Sequence, residues 1–104
     1  MILEVANIHI PAGAHLEFEA AIQLGLETTL AKSPGFQSFE VRRCIETADR
    51  YLLLIQWETL EDHTVGFRES DLYAEWSAIV RPYFARPPEV EHFELVTSSI
   101  PLKH

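Results

Sequence analysis

The chain has 104 residues, 47% of them apolar, enough for one two-layer core and not for two. Sixteen Asp and Glu against eight Lys and Arg give a formal charge of −8. No basic stripe is left to neutralise phosphates, which argues against nucleic acid and against an anionic membrane surface. Cys44 is the only cysteine, so neither an intrachain disulfide nor a cysteine-based zinc site can form.

The opening MILEVANIHI has no positive n-region and no small-residue cleavage site, so it does not read as a signal peptide, and no apolar run is long enough to span a bilayer. A cytoplasmic protein is the expectation. The first strand is predicted over residues 2–10, ending at Pro11, with Ile8 and Ile10 on one face and Asn7 and His9 on the other. After the turn PAGAH, a helix is expected from about Ala14 to Lys32. Phe18, Ala21, Ile22, Gly25 and Leu26 share its apolar face, and SPG (33–35) stops it.

FQSFEVRRC reads as a second strand, ETAD as a turn, and RYLLLIQW as a third strand. In TLED, Thr59 and Asp62 have the spacing of a capping box opening a short helix. Ser70 can cap a further helix with the stripe Leu72, Trp76, Ile79, Tyr83, which Pro82 kinks or ends. EVEHFELV alternates as a fourth strand. The order β-α-β-β-α-β predicts one α+β domain over residues 1–104, a ferredoxin-like four-stranded antiparallel sheet with both helices on one face. YLLLI is apolar at every position, so both of its faces call for burial although helices cover only one. A homodimer packed sheet against sheet satisfies both.

These segments resemble the antibiotic biosynthesis monooxygenase family of dimeric α/β barrels. The resemblance runs over nearly the whole chain and is carried by PAGAHLEFEAAI, PGFQSFEVRR, LLIQWET and FRESDLYAEWSAIVRPYF. It implies a ferredoxin-like dimer with a pocket between sheet and helices in each protomer. Members include cofactor-independent oxygenases of phenols and quinols, haem-degrading enzymes and an isomerase-type enzyme, so the fold transfers better than the reaction. Asn7 and Trp57 fall where the haem-degrading and polyketide-oxidising branches use a strand-borne Asn and Trp. Many members carry a His on the following helix where this chain has Phe67; His63 lies one turn earlier. That difference counts against a proximal haem ligand.

The expected catalytic set is Asn7, His9, Trp57 and His63. Asn7 and the Trp57 indole N–H would steady a negative oxygen, and His9 or His63 would take a proton. Leu53, Ile55, Phe67, Tyr73, Trp76 and Arg42 are the candidate substrate contacts. For Tyr73 and Trp76 core packing comes first and pocket lining second. His15 and Glu19, four apart on a helix, lack a third partner, so no metal is expected. His92 and Glu94 share one face of the last strand, which a dimer would cover. No phosphate loop, nucleophile elbow or HExxH occurs. The reading is a cofactor-free monooxygenase acting on a small quinol or phenolic aromatic with O₂. The alternatives are a haem-binding or haem-degrading protein and a non-catalytic dimer that binds a small ligand.

Overall fold

The computed structural model describes residues 1–100. The tail TSSIPLKH, which the sequence leads one to expect to cross onto a neighbouring subunit because such tails otherwise fray, falls partly on residues 101–104, outside those described. Strand β1 (Ile2–His9) leads into helix α1 (His15–Thr28) and a 3₁₀ turn (Leu30–Lys32). Strands β2 (Phe36–Arg43) and β3 (Arg50–Trp57) follow, then a π-helical segment (Asp62–Phe67), helix α2 (Asp71–Val80), a 3₁₀ turn (Arg81–Tyr83) and strand β4 (Glu89–Glu94). The sheet is antiparallel in the order β2-β3-β1-β4, and the fold is the α+β ferredoxin-like one that the element order predicts.

Period-2 alternation decides which residues meet the helices. On β1 these are Glu4, Ala6 and Ile8, with Ile10 just beyond; on β3 they are Tyr51, Leu53, Ile55 and Trp57. They pack against Phe18, Ile22 and Leu26 of α1, Phe67 and Val80. Each such aliphatic side chain contributes about 1.5–3 kcal/mol on burial. The two helices approach closely at Gly25, where an added Cβ would come within 2.9 Å of the Trp76 ring.

The sequence boundaries hold with local corrections. α1 ends at Thr28 and the chain tightens into the 3₁₀ turn before Ser33. Thr59 and Asp62 do form a reciprocal capping box: the Thr59 N–H donates to the Asp62 carboxylate at 3.1 Å, and the Asp62 N–H donates to Thr59 Oγ1 at 3.2 Å. Ser70 precedes α2 but does not cap it with its side chain; its hydroxyl donates back to the Phe67 carbonyl at 2.6 Å. α2 stops at Val80, two residues before Pro82, which lacks the N–H a longer helix would need.

The opposite sheet face carries no helix. It presents Leu3 and Val5 from β1, Leu52 and Leu54 from β3 and the 49%-exposed Phe93 from β4. Asn7 and His9 lie on this face too, because the phase that turns Ile8 and Ile10 toward the helices turns their neighbours away. Among the described residues, no helix is long and apolar enough to cross a membrane.

Candidate functional site

Between the sheet and the α2 side of the helical layer lies a cavity of about 360 Å³, a volume suited to a small ligand. Its walls are largely apolar, with Ile8, Leu53, Phe67, Trp76 and Val90 among them, and Tyr73 also lines it. The charged and polar residues among the lining are few: Glu4, His63, Arg68, Ser77 and Arg81.

Glu4 and His92 sit side by side because the β1–β4 register pairs them directly. The π-helical segment then brings His63 onto both. In that segment the Arg68 N–H donates to the His63 carbonyl, five residues back, at 3.2 Å, and the wide turn buries His63 and Phe67 together. His63 stacks on Trp57, with centroids 5.3 Å apart and planes 15° from parallel. Its Nε2 is 3.3 Å from Glu4 Oε1, and its Nδ1 is 2.7 Å from His92 Nε2. The Trp57 indole N–H donates to the same Glu4 oxygen at 2.9 Å. Glu4 Oε2 takes part in no hydrogen bond among the described residues.

Burial sets the protonation states. Glu4 is 5% exposed, and desolvation pushes its carboxyl up to about 7, against the opposing pull of the Trp57 N–H and the positive Arg68. His63 is 4% exposed; burial, with Arg68 and His92 adding to it, pulls its imidazole down to about 4. Burial, then Arg68, lowers His92 as well. Near neutral pH His63 is therefore a neutral imidazole, and the proton that comes and goes belongs to Glu4. Two hydrogen-bond arrangements exist. With Glu4 protonated, its O–H donates to His63 Nε2, and His63 Nδ1–H donates to His92. With Glu4 ionised, both donations reverse. The partly exposed His92 joins this chain to solvent.

Of the expected site residues, the structure gathers His63, Leu53, Phe67, Tyr73 and Trp76 around the cavity. Trp57 stands behind it, fully buried, its N–H spent on Glu4 and not turned toward a ligand. Ile55 is packed in the core away from the lining. Asn7 and His9 are on the other side of the sheet. The Asn7 carboxamide accepts from Arg50 Nε at 2.6 Å and donates to Glu89 at 3.5 Å, while His9 Nε2 accepts from Arg86 at 2.7 Å. Arg42 extends from that same outer face into a 2.6 Å ion pair with Glu40. The expected convergence of Asn7 and His9 with His63 thus does not occur, for the reason of strand phase given above.

His92 and Glu94 do share a face, but it is the helical one, and His92 belongs to the relay. His15 meets Tyr51 Oη at 3.0 Å and Asp49 at 3.1 Å, and Glu19 accepts from Tyr51 at 2.5 Å, a structural network in place of a metal pair. Both ring nitrogens of His63 are engaged, so it is a poor fit for a haem-iron ligand. Glu4 was not anticipated. The available signal was a carboxylate in phase with Ala6, Ile8 and Ile10 on the face destined for the core.

The chain matches the family model described as Antibiotic biosynthesis monooxygenase over residues 1–79. The uncharacterised protein YczJ of Bacillus subtilis (strain 168) is 40% identical over 94 residues, which cover 90% of this chain and 98% of that protein. A crystal structure of a protein from Bordetella bronchiseptica superposes with a TM-score of 0.87 at 34% identity, covering 92% of this chain and 97% of that one. SnoaB, a cofactor-independent oxygenase from Streptomyces nogalater, superposes with a TM-score of 0.79 over 94% of this chain and 95% of its own. At 16% identity, that likeness speaks for the fold alone.

Proposed function

This chain belongs to the antibiotic biosynthesis monooxygenase family, and from that premise we propose that it is a homodimeric, cofactor-independent monooxygenase that oxidises a small phenolic or quinol substrate with O₂. The observation that carries this reading is a carboxylate with one unengaged oxygen at the wall of an apolar cavity, backed by a two-histidine path to solvent.

Glu4 acts as the base. Its Oε2 takes the proton from the substrate hydroxyl, leaving a phenolate in surroundings that exclude water. The phenolate passes one electron to O₂, and the resulting radical and superoxide join through a new C–O bond at a ring carbon. Glu4 returns its proton to the peroxide anion. Loss of water then breaks the O–O bond and the C–H bond at that carbon and leaves a quinone. Phenol and O₂ become quinone and water, and Glu4 ends as it began. Trp57 holds the carboxylate in place, and His63 with His92 exchanges the proton with solvent. Leu53, Phe67, Tyr73 and Trp76 bound the ring.

Oxygen uptake with a panel of hydroquinones tests this directly. The unsubstituted protein is expected to consume O₂ with a rate that rises through about pH 7. A positioned base is worth about 10²–10⁴-fold, so Glu4→Gln should slow uptake by on the order of 100-fold or more. His63→Gln should slow it as well. No substrate-dependent uptake across the panel would overturn the oxygenase reading in favour of a ligand-binding dimer. Uptake indifferent to Glu4→Gln would overturn the assignment of the base.

A further inference from the structure

Of the six arginines, four are engaged: Arg42 with Glu40, Arg43 with Glu19, Arg50 with Asn7 and Arg86 with His9. The guanidinium groups of the other two, Arg68 and Arg81, make no hydrogen bond or ion pair among the described residues, and these are the two that line the cavity. In a chain with twice as many acids as bases, two cations around one cavity with no ion-pair partner among the described residues are out of keeping with the other four.

Their places differ. Arg68 ends the π-helical segment beside the relay, and its charge acts on Glu4, His63 and His92 alike. Arg81 follows α2, in the stretch whose Ala85 N–H donates to the His9 carbonyl at 2.7 Å and which therefore crosses the far end of β1. From Ile8 back to Glu4 is four strand residues, about 14 Å. An aromatic ring and an extended arginine side chain together cover that distance.

Resting on the reading of this cavity as the substrate site, we propose that it takes a hydroxylated aromatic acid. The carboxylate is held by Arg81 at one end, and the reacting hydroxyl meets Glu4 at the other, within the field of Arg68. The two cations then have separate tasks. Arg81 pairs with the charge the substrate brings, through the planar fork that suits a carboxylate. Arg68 steadies the phenolate charge that appears when Glu4 removes the proton.

The test is anaerobic equilibrium binding of gentisate and of hydroquinone, which differ by one carboxylate, followed through tryptophan fluorescence in the full chain. The unsubstituted protein should bind gentisate at least tenfold more tightly than hydroquinone, and added salt should weaken the gentisate complex alone. Arg81→Gln should bring gentisate to the level of hydroquinone, whereas Arg68→Gln should keep the preference. Equal affinities, no gentisate binding up to millimolar concentration, a preference that survives Arg81→Gln, or one that Arg68→Gln abolishes would each overturn the proposal. Both arginines are exposed, so neither substitution threatens folding. The readout needs no turnover: the oxygenase reading can fail while the carboxylate preference stands, and hydroquinone can be oxidised with no such preference.

Discussion

Glu4 and His63 pull the pH dependence of stability in opposite directions. A carboxyl raised from 4.5 to about 7 binds more protons in the folded than in the unfolded chain, so its contribution is full below pH 4.5 and is lost as pH rises toward 7. An imidazole lowered from 6.5 to about 4 does the reverse, and its contribution is lost as pH falls from 6.5 to 4. Between pH 4.5 and 6.5 the two slopes offset each other. Replacing Glu4 by Gln exposes one of them: relative to the unsubstituted protein, Glu4→Gln should gain stability as pH rises from 4.5 to 7. With 1.36 kcal/mol per pKa unit, the gain is on the order of 3 kcal/mol. Urea midpoints of both proteins across that range measure it, and a constant difference would show that Glu4 titrates normally. At this scale the sequence was only half legible. The phase of β1 puts Asn7 and His9 opposite Ile8 and Ile10, and the pocket expected between sheet and helices lies on the Ile8 face, where Glu4 stands and Asn7 and His9 do not. An Asn beside a His draws the eye as chemistry, while a Glu among apolar residues looks like a lapse in the pattern; the buried Glu is the group with the perturbed carboxyl.

Among the elements, the turn into the π-helical segment depends on Gly35. Its φ is +86°, a conformation that favours glycine, and an added Cβ would fall 2.1 Å from Asp62 Oδ2, the oxygen that caps Thr59. Gly13 has a similar φ of +84° but open space around it. Gly35→Ala should therefore cost clearly more than Gly13→Ala, the first about 2 kcal/mol or more and the second about 1. Thermal unfolding of the two variants checks this, since 1 kcal/mol shifts Tm by about 4–8 °C in a domain of this size. Equal losses would mean that the capping box yields freely. The strands and both main helices were legible because their apolar spacing follows a single period. The π turn was not. Residues four apart, such as His63 and Phe67, share a face in an ordinary helix too, so spacing carries no mark of the extra residue per hydrogen-bonded ring. His92 was legible as a strand residue but not as a relay member, because its partner Glu4 is set by β1–β4 pairing, 88 positions away in sequence.

For the whole molecule, the apolar face formed by Leu3, Val5, Leu52, Leu54 and Phe93 is the counterpart of the cavity on the other side of the sheet. The unbroken run YLLLI signalled it in the sequence. Two copies joined through this face would bury it and leave both cavities open. Sedimentation should give twice the chain mass, and Leu54→Arg, which places a charge in the middle of the patch, should shift the population toward monomer with the helical side intact. A monomer at micromolar concentration before substitution would contradict the dimer. Proposed catalysis turns on something smaller: Glu4 must change protonation near neutral pH. Carbon-13 NMR of side-chain carboxyls in the intact protein measures this directly, with the resonance absent from Glu4→Gln assigned to Glu4. It should titrate near pH 7, apart from the exposed glutamates. A Glu4 midpoint near 4.5 would leave the cavity with an ordinary anion in place of a proton acceptor, and would contradict the account.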